Sequence, residues 1–453
     1  MVGAPQVVLL LAALAAAAAA AALSPPSNPM PVYGCAGPPD SASTLRILPA
    51  FGPCSPLNPP ISHSSADPLL SLADRDLSRI LYLTSTAASG RRRPHRSFAP
   101  IAAGRNLLQS STYVARASIG TPPQSLLVAL DISSDAAWFP CSGCSGCPVS
   151  SPVFSPASSS SFSPVGCGSP QCSHVPNPSC PPSSPPSCAF NFTYGGSSIF
   201  ASLAQDSLSL AGDSIKSYAF GCVRSTIGTS MPPQGLLGLG RGPLSFLSQT
   251  QSLYSSIFSY CLPSFRSVNF SGTLRLGLAG QPQRINTTPL LSNPRRPSLY
   301  YVKLTGIRVG RRTVSIPPAA LAFDPATGAG TVFDSGTMFT RLVAPAYAAV
   351  RDEFRRRVNR AVTSLGGFDT CYDGPVAAPT ITFAFEGMNM TLAGENVMIH
   401  SSSGSISCLA MAAAPANVNA LLNVIAAVQQ QNHRVLFDVP KGRVGVSREL
   451  CTS

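Results

Sequence analysis

The stretch "LLVALDISSDAAW", residues 126–138, decides how this chain is read. An apolar run leads into Asp131, two serines follow, and Asp135 comes next. A related stretch, "GAGTVFDSGTMFT", occupies residues 328–340 and places Asp334 203 residues after Asp131. Each copy is later followed by an apolar–apolar–small element, "GLLGLG" at 235–240 and "NVIAAV" at 423–428. This weak repeat predicts two related β lobes, each giving one Asp to a central cleft. The second copy is regular. The first has Ile132 and Ser133 where the second has Ser335 and Gly336.

Two carboxylates held face to face share one proton, because like charges at a few ångströms repel. The ionised partner takes a proton from water, and the protonated one hydrogen-bonds a carbonyl. Neither metal nor cofactor is needed. Small residues after each Asp let the loop turn its N–H groups toward the carboxylate. Taken singly, either Asp also fits a plain turn residue.

Composition agrees with a β protein. The 453 residues are 44% apolar and only 11% charged, with 45 Pro and 36 Gly. That favours turns and short strands over long helices. Strand patterns begin at Tyr113 and recur to the C-terminus. Short helices fit 243–253 and 344–362, the latter with the cluster "RDEFRRRVNR" on a solvated face. The net charge of +13 rests on 28 Arg against 3 Lys. No basic run is interleaved with aromatics, so nucleic acid is not an expected partner.

Residues 1–23 read as a signal peptide from their Ala-rich apolar run. Residues 24–110 are rich in Pro, Ser and Arg and read as a propeptide, with one helix over 67–85 and an exposed basic stretch, "GRRRPHR", at 90–96. An Arg of that stretch is expected to lie against the carboxylate pair until it is removed. The lobes are expected at 111–290 and 291–453.

Fourteen cysteines imply disulfides in an exported chain. Twelve lie in the lobes: Cys141, Cys144, Cys147, Cys167, Cys172, Cys180, Cys188, Cys222, Cys261, Cys371, Cys408 and Cys451. Their pairing is not readable from spacing. "CSGCSGC" at 141–147 has zinc-like spacing, but no matching Cys/His pair follows at finger distance, so no metal is expected. Sequons at Asn191, Asn269, Asn286 and Asn389 agree with export.

At this point the chain resembles the pepsin-like aspartic endopeptidases, in their plant nepenthesin-like, many-cysteine branch with an atypical first loop. The resemblance covers about 112–451 and is carried by "YVARASIGTPPQ", "FDSGTMFTRL", "GLLGLGRGPLSFLSQT", "YYVKLTGIRVG", "FDTCYD", "QQQNHRVLFDV" and "GRVGVS". It implies a mostly β, bilobal acid-protease fold with Asp131 and Asp334 as the dyad. Ser134 and Thr337 would hold the outer carboxylate oxygens, with Ser335 and Gly336 completing the second loop. Tyr194 would be the flap tyrosine, supported by Trp138, the only Trp. It further implies a secreted monomeric zymogen of the apoplast or cell wall that cleaves proteins or peptides, with no stable membrane insertion after signal removal. The competing reading is a catalytically weak relative that binds or inhibits other secreted proteins, such as wall-degrading enzymes.

The departures are specific. The family's first loop reads Asp-Thr-Gly; Ile132 lacks the hydroxyl that would bond across the cleft, and Ser133 adds a Cβ. That Cβ is tolerable where φ is negative. Ala426 stands where the second lobe usually has Gly.

Overall fold

The structure, a computed structural model, describes residues 43–50, 55–57, 73, 76–84, 113–148, 151–182, 186–228, 230–264, 272–401, 404–415 and 421–451. The fold is mostly β and bilobal, as the repeat implies.

In the first lobe, Tyr113–Ile119 pairs antiparallel with Gln124–Asp131. The last four residues of the second strand, Val128, Ala129, Leu130 and Asp131, are all buried. Leu236–Gly238 pairs parallel with that strand and sets Gly238 opposite Asp131. The second lobe repeats this device: Gly330–Phe333 runs parallel to Leu422–Ile425, with Phe333 opposite Ile425. Each Asp thus emerges at the end of a strand clamped by a short apolar strand from much later in the chain. Glycine is required at this clamp, since a Cβ on Gly238 would lie 2.5 Å from the carbonyl oxygens of Ser134 and Ala136.

A six-stranded antiparallel sheet joins the lobes, in the order Thr44–Pro49, Gly272–Leu276, Ile257–Cys261, His433–Asp438, Arg443–Arg448, Asn286–Leu291. Its two central strands are buried along their whole length. The rings of Phe258 and Phe437 stack at 4.7 Å, and Tyr300 meets Phe437 edge-on at 4.5 Å. The sheet's outermost strand, Thr44–Pro49, comes from the segment read as propeptide.

Among the described residues six disulfides close the fold: Cys141–Cys222, Cys144–Cys147, Cys167–Cys180, Cys172–Cys188, Cys261–Cys451 and Cys371–Cys408. All twelve lobe cysteines are paired; four of the bridges lie in the first lobe, and two of these, Cys167–Cys180 and Cys172–Cys188, hold its Pro/Ser-rich loops. Among the described residues no cluster could hold a metal ion, and no helix is long and apolar enough to cross a membrane.

The short helices Phe246–Gln249 and Gln251–Tyr254 fall where the sequence places one. The helix Ala344–Val358 stops four residues early, because Asn359 turns left-handed at φ 50°. "NVIAAV" is a strand only to Ile425. Helix begins at Ala427, whose N–H bonds Thr337 O while Val428 N–H bonds Met338 O. These two bonds tie the element to the second Asp loop.

Candidate active site

Asp131 and Asp334 face one another, 0% and 1% exposed. Asp131 Oδ1 accepts from the Ser133 N–H at 2.8 Å and from Ser133 Oγ at 2.9 Å. Its Oδ2 accepts from Ser134 Oγ at 3.1 Å. Asp334 Oδ2 accepts from Thr337 N–H at 2.8 Å and Thr337 Oγ1 at 2.6 Å. Gln430 Nε2 donates to the Asp334 carbonyl at 3.1 Å, so the second loop is held from behind as well.

Ser335 and Gly336 lie in the second loop, and Ser335 is buried. Ile132 is 1% exposed and joins the main apolar core, which runs through both lobes. Ser133 is not among the residues with positive φ, so its Cβ causes no backbone strain. Ala426 has φ −96°, which any L-residue adopts.

Above the pair, Ala189–Tyr194 and Ser197–Leu210 form a hairpin turned at Gly195, where φ is +54°. Tyr194 is buried and packs edge-on against Trp138 at 5.4 Å; Phe192 covers the Trp at 5.8 Å. The tip is pinned by Ser230, whose Oγ accepts from Gly196 N–H at 2.8 Å. Below the hairpin lies a cavity of about 440 Å³ that reaches Ser133, Ser134, Trp138, Tyr194, Arg296 and Leu299.

One residue at this site was not singled out from the sequence. Residues 76–84 are helical and lie in the cleft, and Arg79 points into the dyad. Its Nη1 donates to Asp131 Oδ2 at 2.8 Å. Nη2 donates to Asp131 Oδ1 at 2.7 Å and to Asp334 Oδ1 at 2.9 Å; Nε reaches Asp334 Oδ2 at 3.3 Å. The guanidinium carbon sits 5.5 Å from the Tyr194 ring centre. Gly336 makes room for this group, since a Cβ there would come within 2.7 Å of Nη2. Burial alone would push the Asp131 carboxyl up. The Arg79 charge, with the hydrogen bonds from Arg79 and Ser133, overrides that and holds it below the ordinary carboxylate range.

Beyond Arg79, the second lobe holds the same helix. Ile80 and Leu83 enter an apolar cluster with Leu299, Tyr301, Val332, Leu422 and Val424. Ala73 packs with Met338 and Phe339. Asp76 accepts from Met338 N–H and Phe339 N–H, each at 2.6 Å. The basic stretch 90–96, from which an Arg was expected, lies outside the described residues. The helical residues 76–84, within the helix expected over 67–85, supply the cation instead.

Of the sequons, Asn191, Asn286 and Asn389 are exposed, and Asn269 lies outside the described residues.

Comparison with known proteins agrees with this geometry. Residues 113–278 match the family described as xylanase inhibitor N-terminal, and 299–448 its C-terminal counterpart. The chain is 52% identical over 420 residues to Aspartyl protease AED3 of Arabidopsis thaliana, covering 91% of this chain and 93% of that protein. It is 46% identical over 412 residues to Aspartyl protease 25 of Oryza sativa subsp. japonica, covering 86% and 92%. The crystal structure of basic 7S globulin from soybean superposes with a TM-score of 0.59 at 22% identity, over 74% of this chain and 92% of that one, a likeness of fold. On the two matching lobes and the identity to these relatives, the chain belongs to the pepsin-like plant aspartyl protease family.

Proposed function

We propose that the chain is the precursor of a secreted aspartic endopeptidase. The observation that carries this reading is the pair of buried carboxylates, one from each lobe, close enough for a single guanidinium nitrogen to bridge. In the processed protein a water takes that nitrogen's place. The ionised carboxylate removes a proton from it, and its oxygen bonds the scissile carbonyl carbon. The carbonyl oxygen takes the proton of the other carboxyl, giving a tetrahedral diol. Collapse breaks the C–N bond as the carboxyl that took the water's proton gives it to the leaving nitrogen, and the other carboxylate takes a proton from a diol hydroxyl, which restores the starting charge state. Ser134 and Thr337 fix the outer oxygens, Ser335 and Gly336 complete the second loop, and Tyr194 with Trp138 closes the flap over an extended peptide.

On this reading residues 1–23 are the signal peptide, 24–110 the propeptide, and 111–290 and 291–453 the lobes of a monomeric enzyme. Its place is the apoplast or cell wall. The disulfides and the exposed Asn191, Asn286 and Asn389 as glycan sites fit export. Arg79 keeps the precursor silent by occupying the seat of the water.

The test is cleavage of denatured globin at acidic pH by the processed protein, with and without pepstatin. Pepstatin-sensitive cleavage supports the reading, and its absence sinks it. A second reading is favoured by the description of the matching family as xylanase inhibitors and by the missing hydroxyl at Ile132. It is a catalytically weak protein that binds a secreted glycanase, and tight binding to such an enzyme without globin cleavage is its signature.

The seating of the helix yields a separate expectation. Asp76→Ala removes the acceptor of two backbone N–H groups at the cleft. Seating should weaken by about 1–3 kcal/mol, the cost of hydrogen bonds lost at a buried site. Faster limited proteolysis within 73–84 in the unprocessed chain measures this, and an unchanged rate contradicts it.

A further inference from the structure

The first loop departs from its family at Ser133, and that departure lies at the reacting centre. Nη2 of Arg79 lies 2.7 Å from Asp131 Oδ1 and 2.9 Å from Asp334 Oδ1, and so marks the point between the two carboxylates that a reacting water must occupy. The same nitrogen is 2.5 Å from Ser133 Oγ. The equivalent position in the other lobe is Gly336, where a Cβ would also come within 2.7 Å of Nη2. Position three of each loop therefore opens on one point, and only the first lobe puts a hydroxyl there.

The hydroxyl also makes the pair unequal. Ser133 gives two hydrogen bonds to Asp131 Oδ1, the oxygen that faces the shared point. In the second loop the equivalent residue, Gly336, has no hydroxyl to give, and Thr337 N–H and Oγ1 reach Asp334 Oδ2 just as Ser134 Oγ reaches Asp131 Oδ2. Donors aimed at the inner oxygen favour negative charge on that carboxylate.

We propose that Ser133 Oγ is a third hydrogen-bonding group at the reacting centre, accepting from the attacking water and donating to Asp131 Oδ1. It fixes the charge of the dyad on Asp131 and the shared proton on Asp334. No bond to Ser133 forms or breaks. The inference rests on the protease reading for its catalytic meaning, while the charge placement stands on the geometry alone. The other titratable groups acting on the dyad are Asp135 in the same loop and Tyr260 in the joining sheet, while Tyr194 on the flap faces the Arg79 guanidinium; Arg79, Asp76 and Tyr82 leave with the helix.

A donor to the carboxylate lowers the first apparent pKa of the dyad, so its removal raises it. In the processed protein, Ser133→Ala and Ser133→Gly should each move the acid limb of kcat/KM to higher pH by about one unit, with KM changed less than about twofold. Near-ultraviolet circular dichroism checks that both variants fold. Titration of ¹³C-labelled Asp carboxyls by NMR should give the same upward shift without recourse to activity. An acid limb and carboxyl titration unchanged in both variants overturn the proposal. Should the parent protein fail to cleave globin, the protease reading fails, and the carboxyl titration alone decides the role of Ser133.

Discussion

Asp334→Asn is expected to abolish globin cleavage by the processed protein while leaving its fold intact. The substitution keeps the size of the side chain and its hydrogen bonds from Thr337, which hold Oδ2 at 2.8 and 2.6 Å. What it removes is the proton. An amide cannot protonate the carbonyl oxygen as the diol forms, nor share charge with Asp131. General acid–base groups contribute about 10²–10⁴-fold, and here one residue serves both halves of the reaction, so the loss belongs at the upper end. The stability change should be small, because Asp131 and Asp334 then no longer repel once Arg79 has gone. The measurement is initial rate and melting temperature of the parent and variant in one buffer. Retention of more than about a tenth of the parent's rate would mean that a different group does the chemistry, since no single bystander amide is expected to act that mildly.

The fold was legible because its deciding signals are local. An apolar strand ending in Asp and small residues can be recognised within a dozen positions, and the repetition at Asp131 and Asp334 makes it specific. The clamps "GLLGLG" and "NVIAAV" were also visible, and both pair with the strands that deliver the acids. What was less visible is where an element changes type. The switch to helix at Ala427 depends on carbonyls of Thr337 and Met338, ninety residues earlier, and no local propensity encodes it.

Arg79 was missed for a related reason. The chain holds 28 Arg, and charge density drew attention to 90–96. A buried dyad is better served by one guanidinium flanked by apolar residues than by an exposed basic run. The signal was present within the stretch expected as helix, 67–85: Asp76, Arg79, Ile80 and Leu83 recur at helical spacing, one acid and one cation beside two apolar residues on a single stripe. That stripe, seen alone, reads as an ordinary amphipathic helix. Only the cleft opposite it gives Arg79 a meaning. Ser133 is a different case, since its oddity was plain, but whether its hydroxyl faced the dyad or the protein body required coordinates.

Arg79→Ala should open the cleft of the unprocessed chain. The guanidinium is 7% exposed and bonds both carboxylates, so its removal leaves two buried acids under the helix with no cation. Deleting one partner of a buried ion pair costs about 3–5 kcal/mol. Here the protein need not bear that cost, because the helix can lift away and let water reach the acids. Ile80, Leu83 and Asp76 still favour the closed form, but they no longer act with the charge. A ligand that needs the open cleft binds the closed precursor with an affinity reduced by the open fraction. Pepstatin should therefore bind unprocessed Arg79→Ala about 10²–10³-fold more tightly than the unprocessed parent. Arg79→Lys should fall between them, since an ammonium keeps the charge but cannot span two carboxylates as a planar fork does. Calorimetric titration of pepstatin into the three unprocessed proteins and the processed parent reads this directly. If the processed parent binds pepstatin tightly and unprocessed Arg79→Ala binds no better than the unprocessed parent, the helix blocks the cleft by bulk alone and Arg79 is not its lock.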